Sequence, residues 1–388
     1  MECNRLIVLL AVGLLGLALL AGCAGPGLRA AGQRSLAPNT IVELKTGRTI
    51  SLPELVERLN ADRVVFIGEY HNHPQQHRNQ LDLIKALYEQ HPRLVVGLEV
   101  FDRDWQSLLD DWTDGRMDDE VFKTQVQTSV LSGDTFMVYW PLLKWAKENH
   151  VKLLALNAPR KIVSLVAMKG LDSLTPEERS RIARDIEIGP DPYRKRVESV
   201  FAGHKGHVNV NNFFTAQVVW DETMAETLVS FLQSEAGKDM LAVVIAGNEH
   251  IYHGYGVPHR VFRRLNQPLA AILAPVITDD ETITPEDADY IWITEPYVPP
   301  KRPRLGVALD KDASGRTIVK DVTKGSEAER IGLAVGDVLV KLNGQPITSF
   351  MDLHNAAVKG TPNQEHELTV DRNGETLTFR FRFRPSSE

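Results

Sequence analysis

Val64-Val65-Phe66-Ile67-Gly68-Glu69-Tyr70-His71-Asn72-His73-Pro74 is the stretch that decides the fold. Its first four residues are apolar and mostly β-branched, without polar alternation, which reads as a strand buried on both faces. The polar burst after it is the loop leaving that strand. Pro74 then opens a helix running to about Gln90, since proline is tolerated in a first turn where its missing donor costs nothing. Working outward, the same grammar recurs at Leu94–Leu98, Val151–Leu156, Leu241–Ala246 and Ala270–Leu273. Buried strands joined by helical crossovers imply an α/β domain with a mainly parallel sheet and flanking helices. Between the second and fourth runs, Leu142–Asn149, Lys161–Met168, Pro176–Asp185 and Asn212–Ser234 have helical periodicity, and part of this region is expected to form a helical cap over the sheet's edge.

Ligands of open parallel sheets bind beyond the carboxyl ends of the strands. This chain concentrates its unusual polar residues there. Gly68-Glu69-Tyr70-His71 follows the first run, Glu99 the second, Asn157-Ala158-Pro159-Arg160 the third and Gly247-Asn248-Glu249-His250 the fourth. One acidic residue after a strand is usually a helix cap or a solvated loop. Four such segments together predict a shared site. Glu69 and Glu99 with His71 or His250 suit a hard divalent ion such as Zn or Mn, or a general acid and base. Asn157 and Arg160 suit an anion. Gln217 and Asp221 lie four residues apart on one helical face, where they close the site or take a hydrogen bond from it. His77, one turn into the first helix, reads as structural or surface; His204 and His207, in a glycine-rich loop, read as solvated.

Just past the fourth run, Ile251-Tyr252-His253-Gly254-Tyr255-Gly256-Val257-Pro258-His259-Arg260 offers two tyrosines, three histidines and sharply turning glycines. A deprotonated tyrosine is a good ligand for ferric haem when a cation such as Arg260 offsets its high pKa. The plainer alternative is that these aromatics pack beside the next helix, Val257–Leu265. Both readings stay open on the residues alone.

The ends narrow the setting. Arg5 precedes an apolar run, Leu6–Leu20, too short for an ordinary membrane-spanning helix, which reads as a signal peptide over residues 1–22. Leu20-Ala21-Gly22-Cys23 resembles the bacterial lipobox, so Cys23 is expected to become a lipidated N-terminus, with residues 23–39 as tether. That places the protein in the bacterial cell envelope, on the outer membrane or a periplasmic face. With Cys3 removed and Cys23 spent on lipid, no thiol remains for thiolate metal sites, cysteine nucleophiles or disulfides. A formal charge of -7 argues against nucleic acid, which needs a basic stripe.

On Gly68-Glu69-Tyr70-His71, Leu98-Glu99, Asn157-Ala158-Pro159-Arg160, Ala216–Ala225 and Gly247-Asn248-Glu249-His250, the segment from about Thr40 to Thr294 resembles the ChaN family of haem-binding lipoproteins. That family shares a superfamily with the TIKI proteases and erythromycin esterases. The resemblance implies haem handling in iron uptake, tyrosine coordination and pairing of two protomers, with Tyr255 the first candidate ligand, Tyr252 the second, and His250, Arg160, Asn157, Gln217 and Asp221 around the cofactor. The TIKI branch implies instead a metal-dependent hydrolase, in which the matching Glu69, His71, Glu99 and His250 hold a water-activating divalent ion. Glu249 departs from the small residue expected in ChaN-like chains and adds negative charge at the pocket mouth. A binding protein is the first expectation, an enzyme the second, and a scaffold with a vestigial site the third.

Composition shifts at Glu295–Pro303, a proline-rich stiff linker over about 295–302. Beyond it, the segment from Pro303 is similar to PDZ domains of the bacterial protease type, matching at Leu305-Gly306-Val307, Val319–Val322, Gly325-Ser326, Ala328–Leu333 and Gly336–Gly344. This implies that the backbone amides of Leu305, Gly306 and Val307 hold a peptide's terminal carboxylate while the peptide adds as a strand. Asn373-Gly374 between alternating strands signals a tight hairpin, and Met351–Val358 a helix.

Overall fold

A computed structural model describes residues 36–131, 133–201, 209–273, 283–298, 303–312, 314–347, 353 and 364–385. The expected signal peptide and tether up to residue 35, Cys3, Cys23, His204, His207 and all but Leu353 of the expected Met351–Val358 helix lie outside the described residues. No helix among the described residues is long and apolar enough to cross a membrane.

The first domain is built on an eight-stranded sheet. Its strands are β1 (Ile41–Glu43), β2 (Arg48–Ile50), β3 (Val64–Glu69), β4 (Leu94–Asp102), β5 (Lys152–Asn157), β6 (Leu241–Gly247), β7 (Leu269–Leu273) and β8 (Tyr290–Trp292). They run in the order β2-β1-β8-β7-β3-β6-β4-β5. Every pairing from β8 across to β5 is parallel, while β1 runs antiparallel to both β8 and β2. All five strands expected from the apolar runs are present. Three-residue β1, β2 and β8 are additional, being too short for any period to register.

Side-chain alternation divides the strands between two cores. Val65, Ile67, Val96, Leu98, Val243 and Ile245 face one way, against Leu83, Ile84 and Leu87 of the helix Pro74–Gln90 and against the helix Gly133–Glu148. Val64, Phe66, Val95, Ala242 and Val244 face the other, against Met224, Ala225, Leu228 and Leu232 of the long helix Val210–Leu232. The N-terminal half of that helix packs instead on the helices Arg160–Lys169 and Asp191–Phe201, through Ala216 and Val219 and through Phe214 and Val218. This is the cap. Pro176 does start a helix, but it stops at Ser180 rather than Asp185. Helices Gln106–Thr113, Asp119–Ser129 and Asp191–Phe201 were not legible, because short helices show only a few apolar positions each.

The C-terminal domain contributes β9 (Pro303–Arg304), β10 (Val307–Lys311), β11 (Thr317–Val322), β12 (Val338–Leu342), β13 (Gln345–Pro346), β14 (Glu365–Arg372), β15 (Glu375–Arg382) and β16 (Arg384–Pro385). The main antiparallel sheet has the order β10-β11-β12-β14-β15, with β13 on β12, and β16 pairs with β9. Leu305, Val319, Leu339, Leu368, Val370 and Phe381 form its core. Asn373 and Gly374 take φ of 54° and 87°, the left-handed pair a two-residue hairpin turn requires, and join β14 to β15.

Candidate functional site

The residues leaving separate strands meet. Glu69 ends β3, His71 lies two residues beyond, Glu99 is on β4, and His250 sits in a short turn after β6. His71 Nδ1 is 2.8 Å from Glu69 Oε1, and its Nε2 is 3.8 Å from Glu99 Oε1. His250 approaches the same Glu99 oxygen with Nε2 at 3.3 Å, while its Nδ1 lies 2.6 Å from Asp221 Oδ1 on the long helix. Glu99 Oε2 accepts the Gly247 amide at 2.6 Å. One carboxylate oxygen therefore faces two imidazoles, each with its far nitrogen on a second carboxylate.

A polar shell holds this centre. Gln80 Nε2 donates to Glu69 Oε2 at 2.8 Å, and the Tyr139 hydroxyl donates to Glu69 Oε1. Tyr193 donates to Asp221 Oδ2 at 2.7 Å, and Gln217 Nε2 lies 3.1 Å from His250 Nδ1. His77 is buried, with Nε2 3.1 Å from the His71 carbonyl and 3.6 Å from Glu69 Oε2, so it belongs to the support of the site. Asn157 donates to the Glu99 carbonyl at 3.0 Å, fixing strand end to strand end. The Asn248 amide is buried with neither its oxygen nor its nitrogen hydrogen-bonded, an uncommon state for a polar group and one that a bound ligand or water relieves. Tyr139, Tyr193 and Gln80 were not singled out by the sequence, and Asn248 entered only as part of the Gly247-Asn248-Glu249-His250 segment. The first two stand in ordinary apolar helix patterns, and only the third dimension carries them to the site.

Electrostatics follow from this packing. Burial pushes the Glu99 carboxyl up, but the His250 charge and hydrogen bond, the His71 charge and the Gly247 amide outweigh it and hold the pKa at about 2. Burial pulls His71 down, yet its bond to Glu69 and the charges on Glu99 and Glu69 raise it to about 9. His250 moves the same way against its burial, under the charges of Glu99 and Asp221 and its bonds to both. Burial and the adjacent Glu69 hold the Tyr139 phenol well above its ordinary range, and burial and Asp221 do the same for Tyr193. The packing thus favours the protonated form of both imidazoles and the charged form of Glu99, and it keeps both tyrosine hydroxyls as neutral donors.

Beside the centre opens a cavity of about 430 Å³, lined among others by His71, Glu99, Asp102, Asn157, Arg160 and Trp220, with Val130 and Leu131 as apolar wall. Trp220 also meets the His250 ring edge-on at 6.0 Å. The two candidate tyrosines are not in this lining. Tyr252 is buried in the second core with the Arg196 guanidinium 4.2 Å over its ring. Tyr255 is half-buried, stacked on His253 at 4.9 Å and packed on the Tyr193, Val197, Phe214 and Val218 cluster. Arg260 does not serve the phenol of either candidate tyrosine; its guanidinium lies 5.5 Å over the Tyr193 ring instead. It is buried, donates to the carbonyls of Tyr255, Gly256 and Gly189, and faces Asp221 and Glu222. The expected excess charge of Glu249 is also offset, by a two-pronged bond from Arg196 at 3.0 and 3.1 Å.

Comparison with known proteins fits this architecture. The family described as haem-binding uptake, Tiki superfamily, ChaN matches residues 55–261, more than half of the chain. The chain belongs to the ChaN family. A PDZ domain matches residues 303–382. The solved structure of Campylobacter jejuni ChaN with cofacially bound haem shares the fold of the ChaN domain, with a TM-score of 0.51 at 16% identity over 65% of this chain and 95% of that one. RETICULATA-RELATED 5, a chloroplastic protein of Arabidopsis thaliana, is 26% identical over 316 residues, 73% of this chain but 41% of that protein. The periplasmic pH-dependent serine endoprotease DegQ of Escherichia coli is 31% identical over 73 residues, 19% of this chain and 16% of DegQ. The chain spans less than half the length of either relative.

In the PDZ domain, β10 lies at the edge of its sheet, paired with β11 alone among the described residues. Leu305 is buried, and the carbonyls of Leu305 and Gly306 accept the Ala328 and Thr323 amides at 2.8 and 2.9 Å. Gly306 has φ of 86°, and a Cβ there would stand 2.2 Å from the Ser326 Cβ, so only glycine fits. The loop before the edge strand is thereby rigid, which an added peptide strand needs.

Proposed function

We propose that this chain is a lipid-anchored envelope protein whose ChaN domain holds haem and whose PDZ domain recruits a polypeptide through its C-terminus. The cavity beyond the parallel strand ends carries the reading, in a chain that belongs to a haem-binding family. Its size is in the ligand-pocket range of roughly 300–1,000 Å³. Val130, Leu131 and Trp220 suit a porphyrin face, and Arg160 suits a propionate. Trp220, Gln217 and Phe213 recur at helical spacing on the long helix, leading from the cavity past His250 toward the cluster that carries Tyr255. Tyr255 is the iron ligand in this reading; Tyr252, buried under Arg196, is not. A second protomer covers the haem face left outside the cavity. Haem bound there supplies redox-active iron, and the protein's own part is to orient it and screen it from water.

The test is a haemin titration of the purified chain. A saturable Soret shift, weakened in Tyr255→Phe and unchanged in Tyr252→Phe, is expected; no spectral change removes the haem reading.

One observation favours a second reading, metal-dependent hydrolysis. Metal-bound histidines generally place their other ring nitrogen on a carboxylate, and both imidazoles here do so. No group of three or more His, Cys, Asp or Glu among the described residues is preassembled as a metal cage. A divalent ion would displace the imidazole protons that now face Glu99, taking His71, Glu99 and His250 as ligands, with Glu69 behind His71. Bound Zn or Mn by elemental analysis, lost in Glu99→Ala, supports this reading; metal-free protein with a haem spectrum opposes it.

A further inference from the structure

The two imidazoles are held by the same three-part chain, built twice from unrelated elements. On one side Tyr139, from the helix Gly133–Glu148, donates to Glu69, which bonds His71 Nδ1 at 2.8 Å. On the other Tyr193, from the cap helix Asp191–Phe201, donates at 2.7 Å to Asp221, which bonds His250 Nδ1 at 2.6 Å. Both tyrosines and both carboxylates are almost fully buried.

A phenylalanine would fill either ring's space without bringing a hydroxyl that needs a partner in the interior. Each hydroxyl meets that need on the carboxylate that orients an imidazole, and Tyr139 also stands 3.3 Å from His71 Nδ1. The remaining oxygens are also committed, Glu69 Oε2 to Gln80 at 2.8 Å and Asp221 Oδ2 to Tyr193 with Arg260 at 3.8 Å. Each carboxylate plane is therefore fixed, and each ring must engage it through Nδ1. That leaves Nε2 of both rings turned inward on the single oxygen Glu99 Oε1, at 3.8 and 3.3 Å.

We propose that Tyr139 and Tyr193 are paired positioning residues, which lock Glu69 and Asp221 so that His71 and His250 present Nε2 jointly to a divalent cation at Glu99. Naming the cation rests on the second functional reading; the lock itself does not. Each tyrosine acts on its own imidazole, Tyr193 through Asp221, and Tyr139 through Glu69 and its own approach to His71 Nδ1.

Tyr139→Phe and Tyr193→Phe in the full chain test this, with Tyr88→Phe as control, since Tyr88 gives its hydroxyl to the distant Asn149 carbonyl. Two readouts are used on chelator-treated protein. In proton NMR of histidine-labelled protein, the hydrogen-bonded Nδ1 resonances are assigned with His71→Gln and His250→Gln. Tyr139→Phe is expected to move the His71 signal alone, and Tyr193→Phe the His250 signal alone. In calorimetric titration with zinc chloride, each variant is expected to bind about 10- to 100-fold more weakly, as for loss of other outer-shell partners, while Tyr88→Phe binds as wild type. If wild type takes no zinc but the signals move selectively, the cation is wrong and the lock stands. Unmoved signals in both variants overturn the lock. So does a zinc affinity lowered equally in Tyr88→Phe, which marks general loosening. Should one variant fail to fold, the other carries both readouts.

Discussion

Replacing Glu99 by glutamine removes the charge between the two imidazoles while keeping the side chain's shape, and its cost must depend on pH. At an effective dielectric of about 20, the wild-type attractions are worth about 5 kcal/mol to His250 at 3.3 Å and about 4 kcal/mol to His71 at 3.8 Å. Desolvation opposes both, and solvent at the half-exposed His71 screens its share. What survives is the loss of one of two carboxylate partners at each imidazole, about 1.5–3 kcal/mol, since Glu69 and Asp221 stay bonded to Nδ1. The variant has an escape, because each imidazole can release its proton. In wild type the raised His pKa values contribute stability that is complete below the unfolded value near 6.5 and lost as pH rises through the folded values, about 9 for His71 and likewise raised for His250. The depressed Glu99 carboxyl contributes stability that is complete above about 4.5 and lost as pH falls toward about 2. The variant loses the Glu99 share of the His shifts and the Glu99 carboxyl itself but keeps the shares of Glu69 and Asp221, so its deficit should peak between about pH 5 and 6.5 and shrink as pH rises toward 9. Urea unfolding at pH 5.5, 7 and 9 in the presence of chelator measures it, with midpoints compared at constant m. A deficit that stays the same from pH 5.5 to 9 would refute the charge-paired description of the centre.

Further outcomes follow from the same geometry. Tyr255→Phe should weaken haemin binding at least about tenfold, or about 1.4 kcal/mol, whereas Tyr252→Phe should change neither affinity nor spectrum, both read in the Soret band. Gly306→Ala combines a left-handed φ with a close approach to Ser326, and should cost the PDZ domain about 1–3 kcal/mol and abolish binding of free C-terminal peptides, measured by unfolding and fluorescence anisotropy. Unaltered peptide binding would mean that Leu305-Gly306-Val307 is not the carboxylate loop. Cys23→Ser should move the protein from the membrane to the soluble fraction of expressing cells; retention in the membrane pellet would exclude lipidation as the anchor.

The sheet was legible in the sequence because strands buried on both faces leave unbroken apolar runs, as Val64–Ile67 and Leu241–Ala246 do. Position carried the site. Glu69, Glu99, Asn157 and His250 stand just where parallel strands end, so their convergence followed from topology rather than from any single motif. The supporting residues were hidden for the converse reason. Tyr139 and Tyr193 sit at apolar positions of helices far along the chain, where a core tyrosine and a hydrogen-bonding one leave the same pattern. Arg260 and Glu249 were misjudged because sequence shows a charge but not its partner: Arg260 is turned inward on carbonyls and buried carboxylates, and Glu249 is paired with Arg196. In the C-terminal domain the glycine and asparagine positions were informative, since Gly306, Asn373 and Gly374 all adopt positive φ.

Haemin titration of the wild-type chain beside Arg160→Glu tests the central claim, that the rim of the parallel sheet is one ligand pocket. The account predicts a saturable Soret shift in the wild type and an affinity at least about tenfold lower once the charge at the cavity wall is reversed. An absent shift, or equal affinity in both proteins, would contradict it.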